Sequence, residues 1–345
     1  MAYTTIKDPS AHFQTALYTG NGSTQSITNN GGSDLKPDFV WIKNRQQYQH
    51  QAYDSNRGVH KKLLVSNTDD ESTDTNALTS FNTDGFSTGS NVGVNMNNVN
   101  HVAWQWKANG GTTSSNTDGS LTSTVQANQD AGFSISTYTT ADTNETVGHG
   151  LGVAPEVIIV KRRDADGYYW PVLFPFLTTT NKQMYLNATN VIDSVNIDSP
   201  GASTFRVFGW PGTATANATF VAYCFASKQG YSKFGSYIAN ASADGPFIYT
   251  GFKPAWILRK ATTRTEPWMI IDNKRNPSNV AATSIEITSN GESTTADYDI
   301  DFVSNGFKVR SGSTSYGNHT VGTKYIYMAF AESPFVAGGV PTTAR

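Results

Sequence analysis

The chain has 345 residues with 30 glycines, 12% aromatic residues, only 15% charged residues and a formal net charge of −2. This length allows two or three domains, and the mixture of turn-forming, β-branched and aromatic residues is typical of many short strands with little helix. No run of Lys or Arg exceeds three residues, which argues against a concentrated basic face for nucleic acid. No stretch approaches the roughly 20 apolar residues of a membrane span, so we expect no membrane insertion.

The first repeat is predicted at residues 10–108. It contains Tyr18 in a polar, glycine-bearing segment, an apolar opening run at residues 37–43, a Gly-Phe pair at Phe86, and an apolar closing run at residues 102–106. The opening run is apolar at successive positions, which predicts a strand covered on both faces. The segment before the repeat lacks a charged stretch followed by an apolar one, so we expect no secretory signal.

A second copy of the same blocks follows a polar stretch. Residues 109–131 are rich in Gly, Ser, Thr and Asn, which predicts a linker, with a short edge strand where Leu121, Ser123 and Val125 alternate with polar residues. Residues 132–227 then repeat the opening and closing runs. The single cysteine, Cys224, lies inside the second closing run and is predicted to be a buried small side chain.

A third copy is predicted at residues 231–335, followed by a tail at residues 336–345. Here Asp297, Asp299 and Asp301 alternate with large apolar residues, which predicts a strand with one solvated face. The runs recur at intervals of roughly 100 to 120 residues, close to the commonest domain size. We therefore predict an all-β chain of three tandem antiparallel β-sandwich, jelly-roll-like domains, with a β-propeller as the weaker alternative.

No motif supports catalysis. The densest acidic group, at residues 69–74, lies in a polar segment typical of an exposed turn, where nothing would raise one carboxyl pKa to make an acid. The six histidines include no closely spaced pair of the metalloprotease kind. We expect no catalytic residue, no metal site and no cofactor. Asp54 with Arg57, and Asp272 with Arg275, recur at the same place in the first and third copies, which indicates a structural ion pair or turn.

Aromatic side chains in polar surroundings are the candidate binding residues. A flat ring beside hydrogen-bonding groups offers a sugar both apolar contact and polar orientation. The alternative is that these rings cover the ends of the sandwiches or pack between copies. The candidate glycan-binding residues are Tyr168, Tyr169, Trp170, Trp210 and Trp268.

Three segments carry a family resemblance: residues 18–23, 36–45 and 115–125. They resemble virion structural proteins of marine tailed phages, of the tail-fibre-like or head-decoration type. The resemblance implies a particle component without catalytic residues. The chain differs from an ordinary fibre because it has no coiled-coil or collagen-like period.

These observations together predict a non-enzymatic structural component of a tailed-phage virion, displayed on the tail as a fibre-like or spike-like appendage that contacts host surface glycans. A capsid decoration knob on the head is the alternative, and a polysaccharide-degrading enzyme or a lectin module is the weaker one. The expected partners are other virion proteins of the tail or capsid, further copies of the chain in a homo-oligomer, and a host glycan. The protein would be assembled in the bacterial cytoplasm and released by lysis.

Overall fold

The computed structural model describes residues 4–141, 144–177, 182–194, 199–207, 215–294, 298–312, 316–334, 336–337 and 340–341. Within these ranges nearly all regular structure is antiparallel strand. Helix is limited there to α1 (Val92–Asn95) and two 3₁₀ turns, Pro9–Ala11 and Pro175–Leu177. The prediction of an all-β, sandwich-like fold is confirmed.

The strands fall into the three predicted repeats, called repeats 1, 2 and 3. Repeat 1 holds β1 (Phe13–Thr19), β2 (Gln25–Ile27), β3 (Phe39–Asn44), β4 (Gln51–Asp54), β5 (Lys61–Leu64), β6 (Ser72–Thr73), β7 (Leu78–Phe81), β8 (Phe86–Thr88) and β9 (Asn100–Trp106). Between repeats lie β10 (Ser114–Asn116) and β11 (Ser123–Asn128). Repeat 2 holds β12 (Phe133–Thr139), β13 (Thr146–Gly148), β14 (Val157–Arg162), β15 (Pro171–Leu173), β16 (Lys182–Tyr185), β17 (Asp193–Ser194), β18 (Thr204–Arg206) and β19 (Thr219–Phe225). Repeat 3 holds β20 (Ser232–Ile238), β21 (Phe247–Tyr249), β22 (Trp256–Ala261), β23 (Met269–Asp272), β24 (Ser284–Glu286), β25 (Glu292–Ser293), β26 (Ile300–Val303), β27 (Gly306–Val309) and β28 (Lys324–Phe330), and after it come β29 (Val336–Ala337) and β30 (Val340–Pro341).

Each repeat builds one large sheet with the same strand order. The order is β1-β9-β3-β4-β5-β6 in repeat 1 and β20-β28-β22-β23-β24-β25 in repeat 3. Repeat 2 follows it with β12-β19-β14-β15-β16-β17. The opening run forms β3, β14 and β22, and the closing run forms the strand beside it. Both runs are therefore interior strands of their sheets, which explains why they are the most apolar segments.

A stacked ring pair marks the same place in all three large sheets. The tyrosine of each first strand stacks on its cross-strand partner in the closing strand. The pairs are Tyr18 on His101 at 5.0 Å, Tyr138 on Phe220 at 5.4 Å, and Tyr237 on Tyr325 at 5.2 Å between ring centroids. The repeats therefore match in register as well as in strand order.

A small sheet covers the outer face of each large sheet. These small sheets are β2-β8-β7 in repeat 1, β13-β18 in repeat 2 and β21-β27-β26 in repeat 3. In repeat 3, Tyr298, Ile300 and Phe302 alternate into the core between the two sheets, while Asp299 and Asp301 are half-buried. This is the predicted alternation; Asp297 lies outside the described residues. Each repeat is thus a sandwich with an apolar core of its own.

The inner faces of the three large sheets meet in one central core. Along β3, Phe39 and Trp41 enter this central core, whereas Val40 and Ile42 enter the core of repeat 1. The same alternation holds in β14, where Val157 and Ile159 face the centre. The domain prediction gave each copy its own core; the structure adds a core that all three repeats share. An isolated repeat would expose this second apolar face to water.

The segment interpreted as a linker contains structure. Its predicted edge strand is β11, which pairs with β12, and β10 pairs with β11 in turn. Val125 is buried, and so are Ser123 and Gln126. Residues 114–128 thus extend the large sheet of repeat 2, because alternating small and apolar residues can cover an open sheet edge even in a polar, glycine-rich stretch.

The three repeats contact one another cyclically. One backbone hydrogen bond recurs at each junction, from the far edge of one large sheet to the end of the opening strand of its neighbour. The bonds are Glu71 N to Arg163 O at 2.9 Å, Ile192 N to Thr262 O at 2.8 Å, and Glu292 N to Arg45 O at 2.9 Å. They join repeat 1 to repeat 2, repeat 2 to repeat 3, and repeat 3 back to repeat 1, so the chain forms a closed ring.

Candidate functional site

The predicted aromatic residues separate into surface and core. Tyr169 is 43% exposed and Tyr168 is half-buried, so both remain available on the surface of repeat 2. Trp170 and Trp268 are 1% and 0% exposed and belong to the central core. Trp210 lies outside the described residues. Of the candidates that the structure describes, only the two tyrosines present a ring to solvent.

The buried indoles instead tie repeats together. Trp170 Nε1 donates to Leu64 O of repeat 1 at 3.0 Å, and Trp268 Nε1 donates to Tyr185 O of repeat 2 at 2.8 Å. In repeat 1 the same place holds His50, which hydrogen-bonds Glu286 O of repeat 3 at 3.2 Å. Packing between copies was the alternative interpretation of these rings, and for the two tryptophans it describes the contacts observed.

The Tyr168 ring packs on a fixed guanidinium that is itself buried. Arg162 lies 4.3 Å from the centroid of the Tyr168 ring, within the range of a cation–π contact. The same guanidinium is held by both oxygens of Asp164, each at 3.1 Å. Burial acts to raise the pKa of Asp164, but the hydrogen bonds from Arg162 and the Thr219 backbone N, together with the charge of Arg162, outweigh it and the pKa is lowered. The carboxylate thus stays ionised and keeps Arg162 in place.

Tyr169 extends this surface towards β16. Its ring packs on Tyr185 with centroids 4.8 Å apart, and Gln183 Nε2 donates to the Tyr185 hydroxyl at 3.0 Å. Three tyrosine rings therefore lie at one end of repeat 2, supported from below by the buried side chains of Arg162 and Gln183. The exposed parts of these rings can stack on a sugar face.

Sequence reasoning missed a second pair of exposed rings, on repeat 3. Phe247 and Tyr249 of β21 are 49% and 61% exposed. Their segment alternates in the way any half-buried strand does, so the pattern alone did not single them out. Aligning the repeats strand by strand would have found them, because repeat 1 has Ser26 and Thr28 at these positions.

The recurring Asp–Arg pairs are buried ion pairs at two junctions. Arg57 Nε lies 2.5 Å from Asp54, and the Tyr223 hydroxyl of repeat 2 donates to the same carboxylate at 2.7 Å. In repeat 3, Arg275 Nε lies 2.7 Å from Asp272, which accepts from Trp104 Nε1 of repeat 1 at 3.1 Å. All four charged side chains of these pairs are fully buried.

A glutamate extends each of these two pairs across its junction. Glu71 bridges Arg57 of its own repeat and Arg163 of repeat 2, at 3.0 and 2.9 Å. Burial acts to raise the pKa of Glu71, but the hydrogen bonds from Arg163 and the charge of Arg57 outweigh it and lower the pKa. Glu292 likewise bridges Arg275 and Arg45. Removing one member of either network would leave a buried charge without its partner.

Three equivalent lysines end the opening strands and cross the junctions. Each buried ammonium donates to a backbone carbonyl of a neighbouring repeat: Lys43 to Asn290 at 2.9 Å, Lys161 to Thr68 at 3.1 Å, and Lys260 to Thr189 at 3.1 Å. Burial lowers the pKa of Lys43 to about 7, and that of Lys161 and Lys260 to about 8.

Among the described residues, no group of three or more His, Cys, Asp or Glu side chains is placed to hold a metal ion. Likewise, none of their helices has the length and apolar character of a membrane span. Cys224 is fully buried, as predicted, and burial raises the pKa of its thiol.

A family model described as a domain of unknown function, DUF7483, matches residues 8–334. The chain belongs to this family. No curated protein and no solved structure matches the chain. The DUF7483 match begins before β1 and ends beyond β28, so it spans all three repeats. The closed three-repeat ring, rather than the single sandwich, is the unit that corresponds to DUF7483.

Proposed function

We propose that the protein is a non-enzymatic structural component of a tailed-phage virion. It forms a compact appendage on the tail surface, held by other virion proteins and contacting glycans of the host surface. The single observation that carries this proposal is the cyclic closure of the three repeats around one core.

Closure favours a compact body over a fibre shaft. Contacts of the head-to-tail kind build a filament when the rotation does not close, and a ring when it does. Here repeat 3 contacts repeat 1 through the same backbone bond that joins the other two pairs. Each repeat therefore has both of its junction surfaces occupied by the other two repeats of the chain, so a further repeat cannot be added through the same contact.

Many of the buried ionisable side chains connect one repeat to the next. The buried lysines, the two Asp–Arg pairs and the bridging Glu71 and Glu292 are all bonded across or beside a junction. A catalytic acid or base needs access to substrate. Groups locked between repeats suit a scaffold, which supports the non-enzymatic part of the proposal.

Mass spectrometry and gold labelling of purified particles test the proposal. We expect peptides of this chain in particles freed of lysate protein, and an antibody label on the tail. Label on the head would favour the capsid decoration alternative, to which the compact body is equally suited. Absence of the chain from the particles would overturn the virion assignment.

A second assay tests the non-enzymatic part. The purified chain is incubated with host envelope polysaccharide, and reducing ends are counted over time. We expect the count to match that of a heat-inactivated sample. A steady rise would show that the protein is a depolymerase.

A further inference from the structure

Repeat 3 carries two aromatic rings on the outside of its small sheet. Phe247 and Tyr249 occupy alternate positions of β21, and Ile248 between them is buried. Since successive side chains of a strand point to opposite faces, both rings lie on the outer face. They are among the most exposed large apolar side chains of the described residues.

The shared fold does not require these rings. In repeats 1 and 3 the buried isoleucine of this edge strand pairs with the phenylalanine of the Gly-Phe element. The pairs are Ile27 with Phe86 in repeat 1 and Ile248 with Phe307 in repeat 3. Ser26 and Thr28 therefore stand where Phe247 and Tyr249 stand, and both are exposed. In repeat 2, Thr146 and Gly148 flank the corresponding valine. Only repeat 3 has two aromatic rings here.

Charged groups lie in register beside the rings. Phe247 pairs across the sheet with Lys308, which pairs with Asp301 on the next strand. The Lys308 ammonium is held by Asp244 at 2.7 Å and by Gly245 O at 3.0 Å. A ring, an ammonium and a carboxylate thus form one row across the outer face.

In the next cross-strand row, which contains Tyr249, no side chain of the neighbouring strand lies beside the ring. Its cross-strand partner is Gly306, which has no side chain. A Cβ at Gly306 would lie 2.0 Å from Ile248 O and 3.1 Å from the Phe247 ring. The glycine therefore lets the Phe247 ring pack closely on the strand and places no side chain beside Tyr249.

The size and chemistry of this surface favour a sugar over a protein partner. About half of each ring is exposed, so the pair offers roughly 200 Å² of apolar area, given the 150–250 Å² of a whole aromatic side chain. A stable protein interface needs about 800 Å² per partner. Flat apolar faces beside fixed charged hydrogen-bonding groups match the two kinds of surface that a pyranose ring presents.

We propose that Phe247 and Tyr249 form a saccharide-binding surface. The two rings stack on sugar faces while Lys308 and Asp301 hydrogen-bond the hydroxyls. This inference rests on the proposed function only for the source of the sugar, the host envelope; the binding itself is a property of the isolated chain.

The repeats supply a matched variant. In Phe247→Ser/Tyr249→Thr the two rings are replaced by Ser and Thr, the residues that repeat 1 has at the equivalent positions. Ser26→Ala/Thr28→Ala changes the equivalent exposed positions of repeat 1, which carry no aromatic ring, and serves as the control. Circular dichroism and the thermal midpoint establish that each protein is folded. Binding is measured on an array of bacterial O-antigen and capsular oligosaccharides, and then by calorimetry with the strongest array ligand.

We expect the unmodified chain to bind at least one oligosaccharide, Phe247→Ser/Tyr249→Thr to lose at least tenfold in affinity, and the control to stay within twofold. The proposal is overturned by no array signal, by a loss below tenfold in the repeat 3 variant, or by an equal loss in the control. These outcomes do not depend on whether particles contain the chain, which mass spectrometry decides separately.

Discussion

Removing the carboxylate of Asp272 tests whether the ion pairs hold the ring closed. Asp272 accepts from Arg275 Nε at 2.7 Å, from the Arg275 backbone N at 2.8 Å and from Trp104 Nε1 of repeat 1 at 3.1 Å. In Asp272→Ala, the fully buried Arg275 guanidinium loses its close counter-ion, since Glu292 is 3.7 Å away. Leaving a buried charge without its partner lowers the unfolding free energy by about 3 to 5 kcal/mol.

The assay is denaturant unfolding at pH 7 followed by tryptophan fluorescence, with thermal unfolding as a second measure. We expect the thermal midpoint of Asp272→Ala to fall by about 4 to 7 °C for a chain of this size. Asp301→Ala is the control, because its pair with Arg310 is partly exposed and 3.4 Å long. Such pairs contribute about 1 kcal/mol or less.

Repeat 2 supplies the rescue. Phe174 and Leu177 of repeat 2 occupy the positions equivalent to Asp272 and Arg275 of repeat 3. Met328 of repeat 3 occupies the position equivalent to Trp104 of repeat 1. Well-packed apolar residues replace buried ion pairs at little cost. The triple variant Asp272→Phe/Arg275→Leu/Trp104→Met should therefore recover most of the lost stability. An unfolding free energy of Asp272→Ala within 1 kcal/mol of the unmodified chain would refute the argument.

Three further predictions concern single junction residues. Trp170→Phe removes the hydrogen bond to Leu64 O and leaves a void, so the unfolding free energy should fall by about 1 to 3 kcal/mol in denaturant titration; an unchanged midpoint would contradict the contact. The pKa of Lys43 is about 7 in the folded chain, below its ordinary value. Above pH 7 the unfolded chain therefore keeps a proton on Lys43 that the folded chain has lost, so the stability contribution of this residue should rise with pH by up to about 1.4 kcal/mol per unit. Lys43→Met should make the rise from pH 7 to 10 less steep, while Lys161 and Lys260 still contribute above pH 8; a profile parallel to that of the unmodified chain would count against the prediction. Glu71 has a lowered pKa, so its contribution is present above its ordinary pKa and is lost as the pH falls through the folded value; Glu71→Gln should be less acid-sensitive than the unmodified chain between pH 5 and 3.

The opening and closing runs made the strands and their repetition predictable from the sequence. Continuous apolarity in residues 37–43 indicated a strand covered on both faces, and β3 is covered on both. The sequence could not show that the second cover is the other two repeats, because contacts between distant residues leave no local period. Trp170 was misleading for a related reason: it follows the charged residues 161–166, yet it directly precedes β15, is buried and donates to Leu64 O of repeat 1. Phe247 was missed because exposure depends on what lies across the sheet, which alternation does not reveal.

The three junctions share one geometry but use two chemistries, and this difference restricts how the repeats can pair. The junctions of repeat 1 with repeats 2 and 3 bury an Asp–Arg pair that needs a donor from the neighbour, supplied by Tyr223 or Trp104. The junction of repeats 2 and 3 offers Met328 at the donor position, which has no hydrogen to donate. If a repeat bearing an Asp–Arg pair met Met328 instead, its buried carboxylate would lose a hydrogen bond at a cost of about 1 to 3 kcal/mol. Mismatched pairing, within one chain or by swapping between chains, is therefore penalised, and the order that closes the ring is favoured.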